Sequence, residues 1–289
     1  VDDKDWRILK TIAEEKNLTK AAARLYITQP ALTYRLKNIE EEFGAQIVLR
    51  IPSGVEFTPQ GTCLVAYADE MLQKFGSVKE RIKNMVDKVQ GSLRMGTSSV
   101  FAHYTLPKIL KGFLTFYPEV EIALKTGFSS KIIEMLERQE ITLGIVRGEH
   151  DWSGERFLLS EEPLCIASRE PIDFADLPRL PHIRYGADAA LHRLLDDWWR
   201  KNFNTPPNTT MEVTTMETAR QMVLHGLGWS ILPGIGLARK YGLVKQPLFW
   251  PDGSPLIRKT WVLCSNTSLE LQTVRAFLAY LESGKPIPK

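Results

Sequence analysis

The spacing of apolar residues changes along the chain and marks out its parts. Thr19-Lys20-Ala21-Ala22-Ala23-Arg24-Leu25 is followed by a short polar break. Then comes Thr28-Gln29-Pro30-Ala31-Leu32-Thr33-Tyr34-Arg35-Leu36-Lys37-Asn38-Ile39. Two helices joined so tightly must cross steeply, which leaves the second projecting as a probe. Thr19 and Thr28 suit helix N-caps, and Pro30 fits a first turn, where its missing N–H is not needed. Leu32, Leu36, Ile39 and Phe43 give the probe a predicted buried face, and Gly44 suits a left-handed stop. Thr58-Pro59 then opens a longer pattern. Leu64, Ala68, Met71, Phe75, Val78, Ile82, Met85 and Val89 recur at alternating steps of four and three, a heptad seam. The spacing predicts one helix over 59–90, roughly 45 to 50 Å long, whose apolar seam needs a partner.

From Gly91 strands and helices alternate. Strands are predicted at 93–97, 120–126 and 143–146, with helices at 104–117 and 130–138, a βαβαβ lobe on a parallel sheet. A second lobe follows, with strands near 164–167, 211–214 and 229–232 and helices near 190–202 and 215–225. Thr214 and Glu217 look like a capping box for the latter. A return strand at 256–264 and a capped amphipathic helix at 268–281 lead back to the first lobe. The reading divides the chain into residues 1–58, a linker helix at 59–90, and a two-lobed α/β domain at 91–289. Its first lobe takes about 91–161 and 265–289, its second about 162–264.

Charge adds a function to the probe helix. The chain has 289 residues and a net charge of only +3, so overall charge says little. Locally, however, Lys16, Lys20, Arg24, Arg35 and Lys37 fall between residues 16 and 39, where no acid occurs. Such a stripe is the footprint expected for phosphate contact. Gln29, Thr33, Tyr34 and Arg35 occupy the first turns of the probe, the part that meets base edges in a DNA major groove. The unit is read as a winged helix-turn-helix binding double-stranded DNA.

These residues resemble the LysR-type transcriptional regulators. That family's pattern appears as Ala22-Ala23, Leu25, Thr28-Gln29-Pro30-Ala31-Leu32-Thr33, Leu36, Ile39-Glu40-Glu41-Glu42-Phe43-Gly44, Arg50 and Phe57-Thr58-Pro59-Gln60-Gly61. Departures are the threonines where serines are usual, Val48-Leu49 for Leu-Phe, and Pro52-Ser53-Gly54 where a basic wing residue is common. The resemblance continues in Gly91-Ser92-Leu93-Arg94-Met95-Gly96, Leu106-Pro107, Tyr117-Pro118-Glu119-Val120 and Gly226-Leu227-Gly228-Trp229-Ser230-Ile231-Leu232-Pro233. It implies a periplasmic-binding-protein-like effector domain, dimers paired through the linker helix and then a tetramer. It implies DNA contacts from Thr28, Gln29, Pro30, Thr33, Tyr34, Arg35, Lys37, Arg50 and Thr58.

The cleft between the lobes is the expected effector site. Ser98, Ser99, Gly127, Ser129, Ser130 and Thr215 stand at strand ends or helix starts, where ligands of parallel α/β lobes bind. Arg147 and Arg258 fall where the chain passes between lobes, and guanidinium forks suit carboxylates. A small anion, a di- or tricarboxylate, is therefore expected, and the arrangement looks similar to the citrate-responsive regulators of Gram-positive bacteria. Trp152, Trp198 and Trp199 offer an aromatic-effector alternative, and Cys165 and Cys264 a redox one. A cleft enzyme would need a nucleophile beside a base; the five scattered histidines and three distant cysteines show none, nor a metal-ligand spacing or a cofactor motif. No run of eighteen apolar residues and no signal segment is present, so a cytoplasmic protein is expected.

Overall fold

The structure is a computed structural model that describes residues 1–83, 89–237 and 242–283. It forms two compact units, residues 1–82 and 83–289.

The first unit packs three helices, α1 (Asp3–Glu15), α2 (Leu18–Arg24) and α3 (Gln29–Phe43), against a hairpin of β1 (Val48–Ile51) and β2 (Gly54–Phe57). Helix α4 (Pro59–Lys83) follows. Leu9, Ile12, Ala21, Leu32 and Ile39 form the centre of its core. Thr28 caps α3 as expected, and Gly44 ends it in the left-handed region. Phe43 does not join the predicted face; it is 48% exposed, because the helix stops at that residue before the face returns to the core. Helix α2 starts one residue before Thr19, with Asn17 as its cap.

The heptad seam divides. Leu64 and Ala68 are buried in this core, whereas Phe75 and Val78 are 43% and 50% exposed. Residues 84–88, with Met85, lie outside the described residues. Val89 and Gln90 are not helical, which corrects the predicted helix end; Val89 instead packs on the core of the second unit.

In the second unit, β3 (Gly91–Ser98), β4 (Val120–Gly127) and β5 (Leu143–Arg147) pair in parallel with β3 in the middle. Helices α5 (Ser99–Tyr104), α6 (Leu106–Phe116) and α7 (Ser129–Glu137) connect them. The helix expected at 104–117 is α6, with Pro107 in its first turn, where a missing N–H costs nothing; α5 ahead of it was not predicted.

Strand β6 (Glu155–Ser168) is longer than predicted and serves both lobes. Residues 155–163 pair with β11 (Ile257–Cys264), while 164–168 pair with β9 (Ser230–Pro233) and β10 (Val244–Pro247). Strand β11 also pairs with β5, and Val262 and Cys264 lie in the first-lobe core with Leu93, Phe113 and Phe277. Residues 257–264 therefore extend the first-lobe sheet instead of closing the second lobe. The second lobe is built from β7 (His182–Tyr185) and β8 (Thr209–Val213) in parallel, with α8 (Ala189–Asn202) and α9 (Met216–Leu224), over Leu164, Trp198, Trp229 and Leu232. Neither β7 nor β10 was predicted: each spans four residues, too few to show alternation, and β10 ends on a proline. Helix α10 (Gln272–Glu282) packs through Val274 and Phe277 on the first lobe, as expected.

Candidate functional site

Two places carry chemistry. The first is the outer face of α3. Tyr34 is 67% exposed, Pro30 and Lys37 are exposed, and Gln29 Nε2 donates to Thr33 Oγ1 at 3.1 Å. Those two sit one turn apart, so their polar ends share a face. Thr28 Oγ1 accepts from the Ala31 N–H at the helix start. Arg50 is exposed on the hairpin.

Two other predicted contact residues are used within the fold. Arg35 Nη1 donates to Asp5 Oδ1 at 2.7 Å and lies near Asp2, tying α3 to the start of α1. Those carboxylates hold its guanidinium above the ordinary arginine value, the Asp5 hydrogen bond foremost. Thr58 is buried; its Oγ1 donates to the Gln46 carbonyl at 2.7 Å and accepts from the Gly61 N–H at 3.0 Å. A side chain on Gly61 would stand 2.1 Å from the Ile47 carbonyl oxygen, so the Thr-x-x-Gly motif fastens α4 to the hairpin. Its signal is one of packing.

The second place is a cavity of about 160 Å³ between the lobes. Sheet register builds it. In β11, Arg258 stands opposite Glu162 of β6 and Thr260 opposite Arg147 of β5. Residues two apart on a strand share a face, as do directly opposed residues, so both guanidiniums and Glu162 come to one side. Arg147 is 1% exposed and pairs with Glu162, whose Oε2 accepts from the Ile235 N–H at 2.6 Å. Arg258 is 6% exposed; its Nη2 is 3.5 Å from the Arg147 carbonyl oxygen and 3.8 Å from Asp188 Oδ2. Burial, and then the neighbouring Arg258, push Arg147 down to about 9, and burial lowers Arg258 also. Among the described residues, Nε and Nη1 of Arg147 and Nε of Arg258 have no partner, nor has the buried Tyr185 hydroxyl, which burial raises above the ordinary tyrosine range.

Six predicted effector residues line this cavity: Ser98, Ser99, Gly127, Arg147, Thr215 and Arg258. Two do not. Ser129 is fully buried, its Oγ bonded to the backbone of Arg147, and Ser130 turns its N–H and hydroxyl to Asp188 at 3.4 Å. Ser98 and Thr215 also cap α5 and α9. Thr215, not Thr214, is the α9 cap, and Glu217 bonds Arg220 and the Tyr104 hydroxyl of the other lobe instead of closing a capping box. Sequence reasoning missed Tyr185 and Asp188, which follow from the unpredicted strand β7.

A larger hollow, about 410 Å³, opens on the second lobe beside α8 and β7. Trp199 lines it, but none of the predicted effector residues does. Both buried arginines line the smaller cleft, and neither lines the larger hollow. Trp198 packs in the second-lobe core, and Trp152 donates to the Cys264 carbonyl. Cys165 and Cys264 are buried, and burial raises both thiols, Cys264 to about 11. A thiol so placed is a poor nucleophile at neutral pH. No cluster suited to a metal ion and no helix long and apolar enough to cross a membrane is found among the described residues.

Residues 4–62 match the family model of the bacterial regulatory helix-turn-helix protein, lysR family, and residues 87–285 that of the LysR substrate binding domain. The chain belongs to the LysR family of transcriptional regulators. It is thus a DNA-binding regulator with an effector-binding domain, not an enzyme. The regulator is 43% identical over 287 residues to the uncharacterized HTH-type transcriptional regulator YraN of Bacillus subtilis, covering 99% of each chain. It is 33% identical to YkuM of the same organism over 280 residues, 96% of each. Its fold is shared with full-length CbnR bound to target DNA, at a TM-score of 0.74, 18% identity and coverage of 98% and 99%. Full-length OxyR of Pseudomonas aeruginosa also shares it, at a TM-score of 0.67 and 18% identity, over 98% of this chain and 95% of that one.

Proposed function

We propose that the regulator reads promoter DNA in the cytoplasm through α3 and is switched by a small carboxylate in the inter-lobe cleft. On the DNA side, Gln29, Thr33 and Tyr34 meet base edges, while Lys37, Arg50 and the N-terminal end of α3 near Thr28 and Pro30 meet phosphates. The exposed apolar residues Phe75 and Val78 support pairing of α4 with a second copy, and effector domains then join dimers into a tetramer.

One observation carries the effector reading: Arg147, Arg258 and Tyr185, each with a buried polar atom that has no partner, line one cavity. Buried donors without acceptors are costly, and an anion removes that cost. Contacts also cross the cleft, from Tyr104 to Glu217 and from Ser130 to Asp188. A ligand seated between them favours one lobe geometry over another, which is the condition for a switch. A tricarboxylate, as the likeness to citrate-responsive regulators suggests, needs more positive charge than a cleft that also holds Glu162 and Asp188.

The test is calorimetry on the full-length protein with a panel of small carboxylates. Charged hydrogen bonds contribute about 1.5 to 3 kcal/mol each, so Arg147→Ala and Arg258→Ala should each lose at least tenfold in affinity. Tight binding of a neutral aromatic that both variants retain would overturn the assignment and move the site to the hollow beside Trp199.

A further inference from the structure

Asp188 is the cleft residue that a plain anion site does not explain. It stands at the N-cap of α8, yet its side chain makes no capping hydrogen bond. An aspartate there ordinarily accepts from the N–H groups two or three residues on. This one faces the other lobe instead. Its Oδ1 is 3.4 Å from both the N–H and the hydroxyl of Ser130, and its Oδ2 is 3.8 Å from Arg258 Nη2. These contacts are long, so a carboxylate 7% exposed retains unused acceptor capacity at the cavity wall.

The charges of the site then balance. Arg147, Arg258 and Asp188 are the charged residues lining the cavity, and Glu162 is bonded to Arg147 from behind. Two guanidiniums face two carboxylates. A dianion would leave excess charge buried in this neutral pocket, beside a second carboxylate that repels it. A plain monocarboxylate would satisfy the arginines but leave Asp188 with only its long contacts to Ser130 and Arg258. A ligand with a carboxylate at one end and an adjacent N–H or O–H donor satisfies both walls. At about 160 Å³ the cavity is close in size to an engineered protein cavity of about 150 Å³ that holds benzene, so it suits a small ligand.

We infer that the effector is a small 2-amino or 2-hydroxy monocarboxylate, its carboxylate on Arg147 and Arg258 and its neighbouring donor on Asp188. The zwitterion is the better balanced of the two, adding no net charge. This inference rests on the proposed carboxylate reading of the same cleft and narrows it.

Four three-carbon probes separate the possibilities by calorimetry on the full-length protein: propionate, lactate, alanine and malonate. Alanine or lactate should bind at least tenfold more tightly than propionate and malonate. Asp188→Asn keeps the size and the capping aptitude of the side chain. It should erase that preference and improve malonate at least tenfold relative to alanine, with an unchanged melting curve as the check on folding. The inference is overturned if malonate or propionate binds the wild type best, or if Asp188→Asn leaves the order unchanged. Malonate binding tighter than that of alanine and lactate, and abolished by Arg258→Ala, would retain the carboxylate reading while sinking this one. Silence of all four probes toward both proteins counts against each.

Discussion

Arg35 separates two roles that look alike in a sequence, phosphate contact and helix fastening. Its guanidinium is 2.7 Å from Asp5, a residue with only 13% of its side chain exposed, while the arginine side chain is 38% exposed. A partly exposed pair of this kind contributes about 0.2 to 1 kcal/mol, and the upper end applies because Asp5 is nearly buried. Losing about 1 kcal/mol from a unit of this size lowers its melting temperature by roughly 4 to 8 °C. A phosphate contact behaves differently. It adds about 0.9 to the slope of log affinity against log salt, or roughly 3.5-fold in affinity over a fourfold change in salt. Arg35→Ala should therefore lower the melting temperature of the DNA-binding unit and leave the salt slope unchanged. Lys37→Ala, whose side chain is 71% exposed beside Glu41, should lower the slope by about 0.9 per head and leave melting unchanged. Scanning calorimetry and fluorescence anisotropy on one operator fragment at several salt concentrations measure both. A slope reduced in Arg35→Ala, at unaltered melting temperature, would refute the fastening role and return this arginine to the DNA face.

Three further outcomes are expected. Gln29→Ala should lose about 1 to 3 kcal/mol of discrimination at one base position; footprinting on single-base operator variants measures it, and an unchanged preference would count against Gln29 as a reader. Met71→Glu with Val78→Glu places charge in the apolar stripe of α4, and light scattering should show smaller particles; unaltered mass would mean that the stripe does not pair copies. Arg220 first, and Tyr104 after it, hold Glu217 down to about 2, below its ordinary 4.5. Its stabilising contribution is thus complete above about 4.5 and lost as pH falls toward 2. Urea melts across that range should show less acid sensitivity in Glu217→Gln than in the wild type, and equal sensitivity would mean that Glu217 and its partners do not contribute to the acid limit.

The elements most legible in the sequence were those whose signals are local. Thr28 and Gly44 bracket α3 because caps act within a few residues, and β5 shows as an apolar run because it is buried along its whole length. Signals that depend on distant partners were ambiguous. The alternating steps from Leu64 to Val89 read as one seam, but Leu64 and Ala68 serve the core of the first unit and Val89 that of the second. Thr58 and Arg35 carry residue types suited to DNA, and only the carbonyl of Gln46 and the carboxylate of Asp5 reveal their other use. In the cleft, Arg147 and Arg258 were visible at the lobe boundary. Asp188 was not, since an aspartate before a helix reads as a cap until its side chain is seen facing elsewhere.

The placement of β11 has a consequence for how the chain is made. This strand lies between β5 and β6, inside the first-lobe sheet, although some ninety residues of the second lobe separate it from β6. The stretch 164–256 is continuous and carries most of the second-lobe core, so it can condense as soon as it leaves the ribosome. The first lobe must wait with the sheet edges of β5 and β6 unpaired until residue 264 emerges. Domains synthesised from the N-terminus generally fold in order of appearance, and open strand edges are where nascent chains associate wrongly. This connectivity predicts the inverse order, in which the later lobe can complete first while the earlier one waits with open strand edges.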